Sequence, residues 1–149
     1  MTLLSGSSRA DVSAAPDRCW TVVEDVAHWP DWQYGLERVG VLERDEQGRA
    51  VLCDTVVDAK FTKVHCRVRV SYEAPHRLTF TRVESDDVDD LEGSWELRDA
   101  GPGRTHVVYT LAVDPGHVGF LARPLEKALR PLVVGRRVEE LAREVAVRS

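Results

Sequence analysis

No apolar run in this chain approaches the ~18–20 residues that a helical membrane span requires. The stretch Met1 to Leu4 is too short for a signal peptide and runs straight into Ser5-Gly6-Ser7-Ser8-Arg9. Cysteine is scarce: Cys19, Cys53 and Cys66 are an odd count of three, with no metal-type spacing. That excludes a disulfide framework and reads as small buried hydrophobes in a reducing compartment. These absences together predict a cytoplasmic protein. The five histidines are scattered, with no His-x-x-x-His pair and no His/Cys cluster. Neither a metal nor another cofactor is expected. Positive charge is outweighed, 20 Lys+Arg against 25 Asp+Glu, for a net charge of −5. No nucleic-acid partner is expected on that balance, and Arg67, Arg69 and the pair Arg136-Arg137 read as solvated surface.

What is present is concentrated. Three of the four tryptophans fall between positions 20 and 32. Pro16 suits the first turn of a helix, although Ala15 is a poor N-cap. Cys19, Val22, Val23 and Val26 give that helix an apolar face. Pro30 breaks any continuation, because it lacks an N–H and clashes with the preceding turn. The helix is therefore expected to end near Val26, with a second short turn or helix around Trp29 to Trp32. Indoles at such a break suit the wall or rim of a cavity.

Beyond it the pattern is that of strands. Residues 3–13 read as one, with Ala10 and Val12 inward. Leu36 to Arg44 and Ala50 to Asp58 are joined by Asp45-Glu46-Gln47-Gly48, a hairpin signal. From Lys63 the alternation is clean: Val64, Cys66, Val68, Val70 and Tyr72 face one side, Lys63, His65, Arg67, Arg69 and Ser71 the other. It recurs as Leu78 and Phe80, as Leu91, Gly93, Trp95 and Leu97, and as Val107, Tyr109, Leu111 and Val113. The acidic stretch from Glu84 to Glu92 has no glycine at its turn and reads as a solvated hairpin tip. Short connections make the sheet an antiparallel meander. After Asp114-Pro115-Gly116 the period becomes helical. Leu121, Leu125, Leu129, Val138, Leu141 and Val145 mark one stripe. Arg136, Arg137, Glu139, Glu140 and Arg143 are assigned to the polar side. Pro131 and Gly135 are expected to bend this helix. With no linker and no repeat, residues 1–149 are read as a single domain.

Pro16, Trp20, Asp25 and Trp29-Pro30-x-Trp32, followed by Tyr72-Glu73-Ala74-Pro75, Gly93-Ser94-Trp95 and Gly103-Arg104-Thr105, resemble the polyketide cyclase/dehydrase and lipid-transport family of START/Bet v 1-like proteins. The resemblance runs from about Ser8 to Val147. It implies an α+β helix-grip fold: a curved antiparallel sheet of six or seven strands wrapped around a long C-terminal helix, with two short helices after the first strand. It implies a pocket between sheet and helix. The expected lining is Trp29, Trp32, Phe61, Tyr72 and Phe80, together with Trp95, Tyr109, Leu125 and Leu129.

Such a lining suits a hydrophobic small molecule, a lipid, isoprenoid or aromatic polyketide. The expected role is to bind it. A second reading is a polyketide aromatase/cyclase or dehydrase, which needs polar side chains among the aromatics. Arg67 and Arg69, the arginines nearest the family's pocket arginine, alternate to solvent, and Leu36 stands nearer than Tyr34 to the place of its pocket tyrosine. A third reading is a macromolecular interaction module, ribosome-associated or toxin-like. His28 adjoins Trp29 and reads as a turn residue at the pocket mouth. Monomer and homodimer are both open, since an edge strand can pair with a second copy.

Overall fold

The computed structural model describes residues 4–59, 62–115 and 136–148. Phe61, Leu125, Leu129, Pro131 and Gly135, named above, lie outside them. Seven strands form one antiparallel sheet: β1 (Leu4–Val12), β2 (Leu36–Arg44), β3 (Ala50–Asp58), β4 (Lys63–Glu73), β5 (Arg77–Glu84), β6 (Asp90–Asp99) and β7 (Thr105–Asp114). Their order is β1-β7-β6-β5-β4-β3-β2. Strands β2 to β7 are a plain meander, and β1 closes onto β7 with Leu4 opposite Val113 and Val12 opposite Thr105. The hairpin β2–β3 and the alternation of β4 through β7 stand where the period of two places them.

The register writes the inner face as rows. Tyr72 pairs with Leu78, Leu78 with Trp95 and Trp95 with Tyr109. The next row runs Val70, Phe80, Gly93, Leu111. In this second row the missing side chain of Gly93 is needed: a Cβ there would stand 2.1 Å from the Phe80 ring. The Phe80 ring thus occupies the space over the glycine.

Helix α1 (Pro16–Glu24) carries Pro16 at its first turn and has no side-chain N-cap at Ala15. It ends two residues earlier than the sequence suggested. Asp25 leaves the helical region at φ −84°, ψ 66°, and a 3-10 helix follows over Val26–Asp31. Val26 and Trp29 belong to that second element, which holds Pro30 within it. One α-helix and one 3-10 helix therefore stand where two short helices are expected. Helix α2 (Arg137–Val147) is the described part of the C-terminal helix, with Val138, Leu141 and Val145 buried. It packs on α1, β1 and β7. The polar side assigned to it needs correction: Arg137 and Glu140 are buried, at 7% and 9% exposure.

Buried polar groups at the junctions are matched. The Thr105 hydroxyl donates to the Ala14 carbonyl at 2.7 Å, tying the start of β7 to the turn after β1. The acidic β5–β6 connection folds back onto β4. The Ser85 hydroxyl donates to the His65 carbonyl at 2.5 Å, and Asp87 accepts the His65 N–H at 2.7 Å. This brings Val88 inward to 2% exposure, so the stretch is only in part a solvated tip.

Candidate functional site

Trp29 is fixed before any ligand is considered. Its indole N–H donates to the Val23 carbonyl at 2.9 Å, and its ring meets Phe80 edge-on with centroids 5.6 Å apart. These two rings form one wall of a cavity of about 80 Å³ over the inner face of the sheet. Val68 and Val70 of β4, Leu111 and Val113 of β7, and the folded-back Val88 supply further wall. Val57 and Leu36 stand at the β2–β3 side. Nearly all of this surface is apolar.

The polar residues among the described lining are Thr55, whose hydroxyl donates to the Cys66 carbonyl at 2.8 Å, and a group made of Gln33, Tyr109 and Arg137. Arg137 Nη1 donates to Glu140 Oε1 at 2.9 Å and to the Tyr34 carbonyl at 2.9 Å. Glu140 Oε2 in turn accepts the Tyr34 N–H at 2.7 Å. Both backbone groups of Tyr34 are thus held by one ion pair on α2. This explains the burial of two charges on a helix face that otherwise carries Val138 and Leu141: each has a counter-ion and a backbone partner. The guanidinium lies 5.9 Å from the Tyr109 ring centroid. Burial raises the Tyr109 pKa, and the charge of Arg137 opposes that rise. Among the described residues two donors here have no partner, Gln33 Nε2 and Arg137 Nε.

Of the expected lining residues, Trp29, Phe80 and Tyr109 border this cavity. Trp32, Tyr72 and Trp95 do not, because Trp20 and Trp32 cover that part of the row and pack against it. Trp95 is fully buried, with its ring tilted against Tyr109 at 4.6 Å and covered by Trp32 at 5.8 Å. Tyr72 lies under Trp20 at 6.3 Å and under the Arg49 guanidinium at 4.5 Å, and its hydroxyl donates to the Ala50 carbonyl at 2.5 Å. The α1 helix covers this part of the row, whereas the cavity opens over the next one. Phe61, Leu125 and Leu129 fall outside the described residues.

Gln33, Arg137 and Glu140 were missed in the sequence. Gln33 is one polar residue beyond a tryptophan and carries no signal of its own. Arg137 did carry one: it stands four residues before Leu141 and eight before Val145, both on the apolar stripe. Arg67 does point outward, pairing with Asp54 through Nε at 2.7 Å on the outer face. Asp54 is drawn below the usual carboxylate range by that guanidinium. His28 is exposed beside Asp25, 2.9 Å away, and this carboxylate raises its pKa. Among the described residues no three His, Cys, Asp or Glu side chains gather as a metal-ligand set. Among them, too, no helix is long and apolar enough to cross a membrane.

A START superfamily protein from Mycobacterium smegmatis superposes on the chain with a TM-score of 0.77 at 18% identity, covering 97% of this chain and 99% of that one. The Zhui aromatase/cyclase from Streptomyces sp. R1128 gives 0.81 at 18% identity, covering 99% and 96%. A protein from Thermus thermophilus gives 0.78 at 19%, covering 98% and 99%. The fold is that of the START superfamily, a seven-stranded antiparallel sheet gripping a C-terminal helix. The sequence profile described as polyketide cyclase / dehydrase and lipid transport matches residues 12–136. The chain belongs to that family. No curated protein matches it in sequence.

Proposed function

We propose that this protein binds a hydrophobic small molecule in the cavity between the sheet and the C-terminal helix. The observation that carries the reading is the cavity itself: Trp29 and Phe80, both held by contacts of their own, face valines and leucines across unfilled space. An apolar cleft with a few convergent polar groups is the usual form of a small-molecule site. Family membership supports the same reading, since the family's description joins lipid transport with cyclisation and dehydration. Lipids, isoprenoids and aromatic polyketides all match the lining in character.

The reading is tested by filling the cavity. Val57 is half-buried on its wall, at the end of β3. Val57→Trp is expected to abolish binding of lipophilic probes while leaving the unfolding midpoint within a few degrees of wild type. Unchanged binding of every probe in a folded V57W protein overturns the reading. Native mass spectrometry of gently purified protein, followed by organic extraction, identifies whatever it carries.

A second reading, a polyketide aromatase/cyclase, is favoured by one observation. Tyr109 and Arg137 are polar groups on the cavity wall beside aromatic rings. A phenol held near a guanidinium can hydrogen-bond a carbonyl oxygen and stabilise the enolate that forms from it. Turnover of a poly-β-ketone that survives Tyr109→Phe and the paired replacement of Arg137 and Glu140 excludes this role for them.

A further inference from the structure

We infer that the ligand carries an uncharged oxygen acceptor, a ketone, ester or amide carbonyl, and that this oxygen seats between Gln33 and Arg137. The inference rests on the hydrophobic-ligand reading and narrows it. Gln33 is 5% exposed and Arg137 is 7% exposed, both border the cavity, and each has a nitrogen without a partner among the described residues. Buried donors in folded proteins are nearly always paired. Two orphaned donors on the wall of one apolar cavity are matched by one acceptor with two lone pairs. The indole N–H groups of Trp32 and Trp95 have no partner among the described residues either. They do not border the cavity, and no ligand in it would satisfy them.

The charge on that acceptor follows from Glu140. Arg137 is already paired with it at 2.9 Å, and the second oxygen of Glu140 is taken by the Tyr34 N–H. The guanidinium's charge is thus cancelled within the protein. A carboxylate entering the cavity would lose its water without finding a free cation, and the Glu140 carboxylate would repel it. A hydrocarbon would leave both donors unmet. A neutral carbonyl avoids both costs. The apolar walls of Trp29, Phe80 and the valines take the rest of the molecule.

Three probes of one shape separate these cases: methyl naphthyl ketone, its isopropenyl isostere and naphthoate. Titration calorimetry on the wild-type protein is expected to show the ketone binding about tenfold tighter than the isopropenyl compound. Naphthoate is expected to bind no better than the hydrocarbon. Gln33→Leu should cut the ketone's advantage to about threefold and leave the hydrocarbon's affinity unchanged. The double variant Arg137→Met, Glu140→Gln removes the remainder without stranding a charge. Equal affinity for ketone and hydrocarbon, or tightest binding of naphthoate, overturns the acceptor site while the hydrophobic-ligand reading stands. Failure of all three probes to bind overturns that reading together with the inference. The wild-type ranking decides the matter even if a variant does not fold.

Discussion

At the scale of single residues, the structure sorts reactive side chains into inert ones and placed ones. The three cysteines are inert. Burial pushes the Cys53 and Cys66 thiols up to about 11, and it raises Cys19 as well. At pH 8 a thiol with that pKa is thiolate in only about one molecule per thousand. All three are buried and free. Ellman's reagent is therefore expected to leave the native protein unlabelled over an hour at pH 8 and to titrate three thiols once it is denatured. Rapid labelling of one thiol in folded protein would mean that the inner face opens locally. Arg137 is the placed residue. Alternation gave the outward direction of Arg67 and Arg69 correctly, because a strand's period of two leaves no choice of face. For Arg137 residue type and spacing disagree: its charge suits the polar side, whereas its spacing from Leu141 and Val145 puts it on the apolar stripe. In a helix, a charge four residues before a core leucine points at the core unless it bends away, and here Glu140 gives it a reason not to.

At the scale of elements, hairpins and alternation were legible down to single residues, whereas depth along the strand was not. Trp95 and Phe80 read alike in sequence, each an inward aromatic on an alternating strand. They differ by one row: Leu78 and Trp95 lie where α1 and Trp32 cover the sheet, and Phe80 lies beside the opening. Which row is covered depends on how far the helices reach across the sheet, a property of the assembled layers. The pairing of Phe80 with Gly93 is the element-level device that shapes the cavity. Gly93→Ala forces the ring off the glycine and into the cavity, because the new Cβ would overlap it at 2.1 Å. The expected loss is about 1–3 kcal/mol in urea unfolding, with weaker binding of lipophilic probes. Combining it with Phe80→Leu should recover part of that stability. If Gly93→Ala proves neutral, the ring has another place to go and does not define the wall.

At the scale of the whole molecule, the Arg137–Glu140 pair fastens the C-terminal helix to the segment that leads from the 3-10 helix into β2. Glu140→Ala strands a buried guanidinium and frees the Tyr34 N–H. It is expected to cost about 3–5 kcal/mol by denaturant titration, against much less for the double replacement Arg137→Met, Glu140→Gln. A single-variant cost under about 1 kcal/mol would mean that water reaches the pair and that it fastens nothing. The meander from β2 to β7 and the break after the first helix were open to sequence reasoning, since each follows from local chemistry, whereas the pairing of β1 with β7 was not. Nor was the polar group of the cavity. It is made by residues a hundred positions apart, Gln33 and Tyr34 at one end of the chain and Arg137 and Glu140 at the other.

The same distance separates the two strands that complete the sheet. Each strand from β3 to β7 pairs with the one just synthesised, so that meander can assemble as it leaves the ribosome. Strand β1 is made first and matched last, since Leu4 finds its partner only at Val113. Until then its edge of the sheet does not exist, and a nascent chain arrested before β7 carries a first strand whose backbone groups have no sheet partner and whose inward Leu4 and Val12 have no cover. Closing that loop is a non-local step of the kind that slows folding. It leaves the unfinished chain, rather than the finished one, as the form most in need of a chaperone.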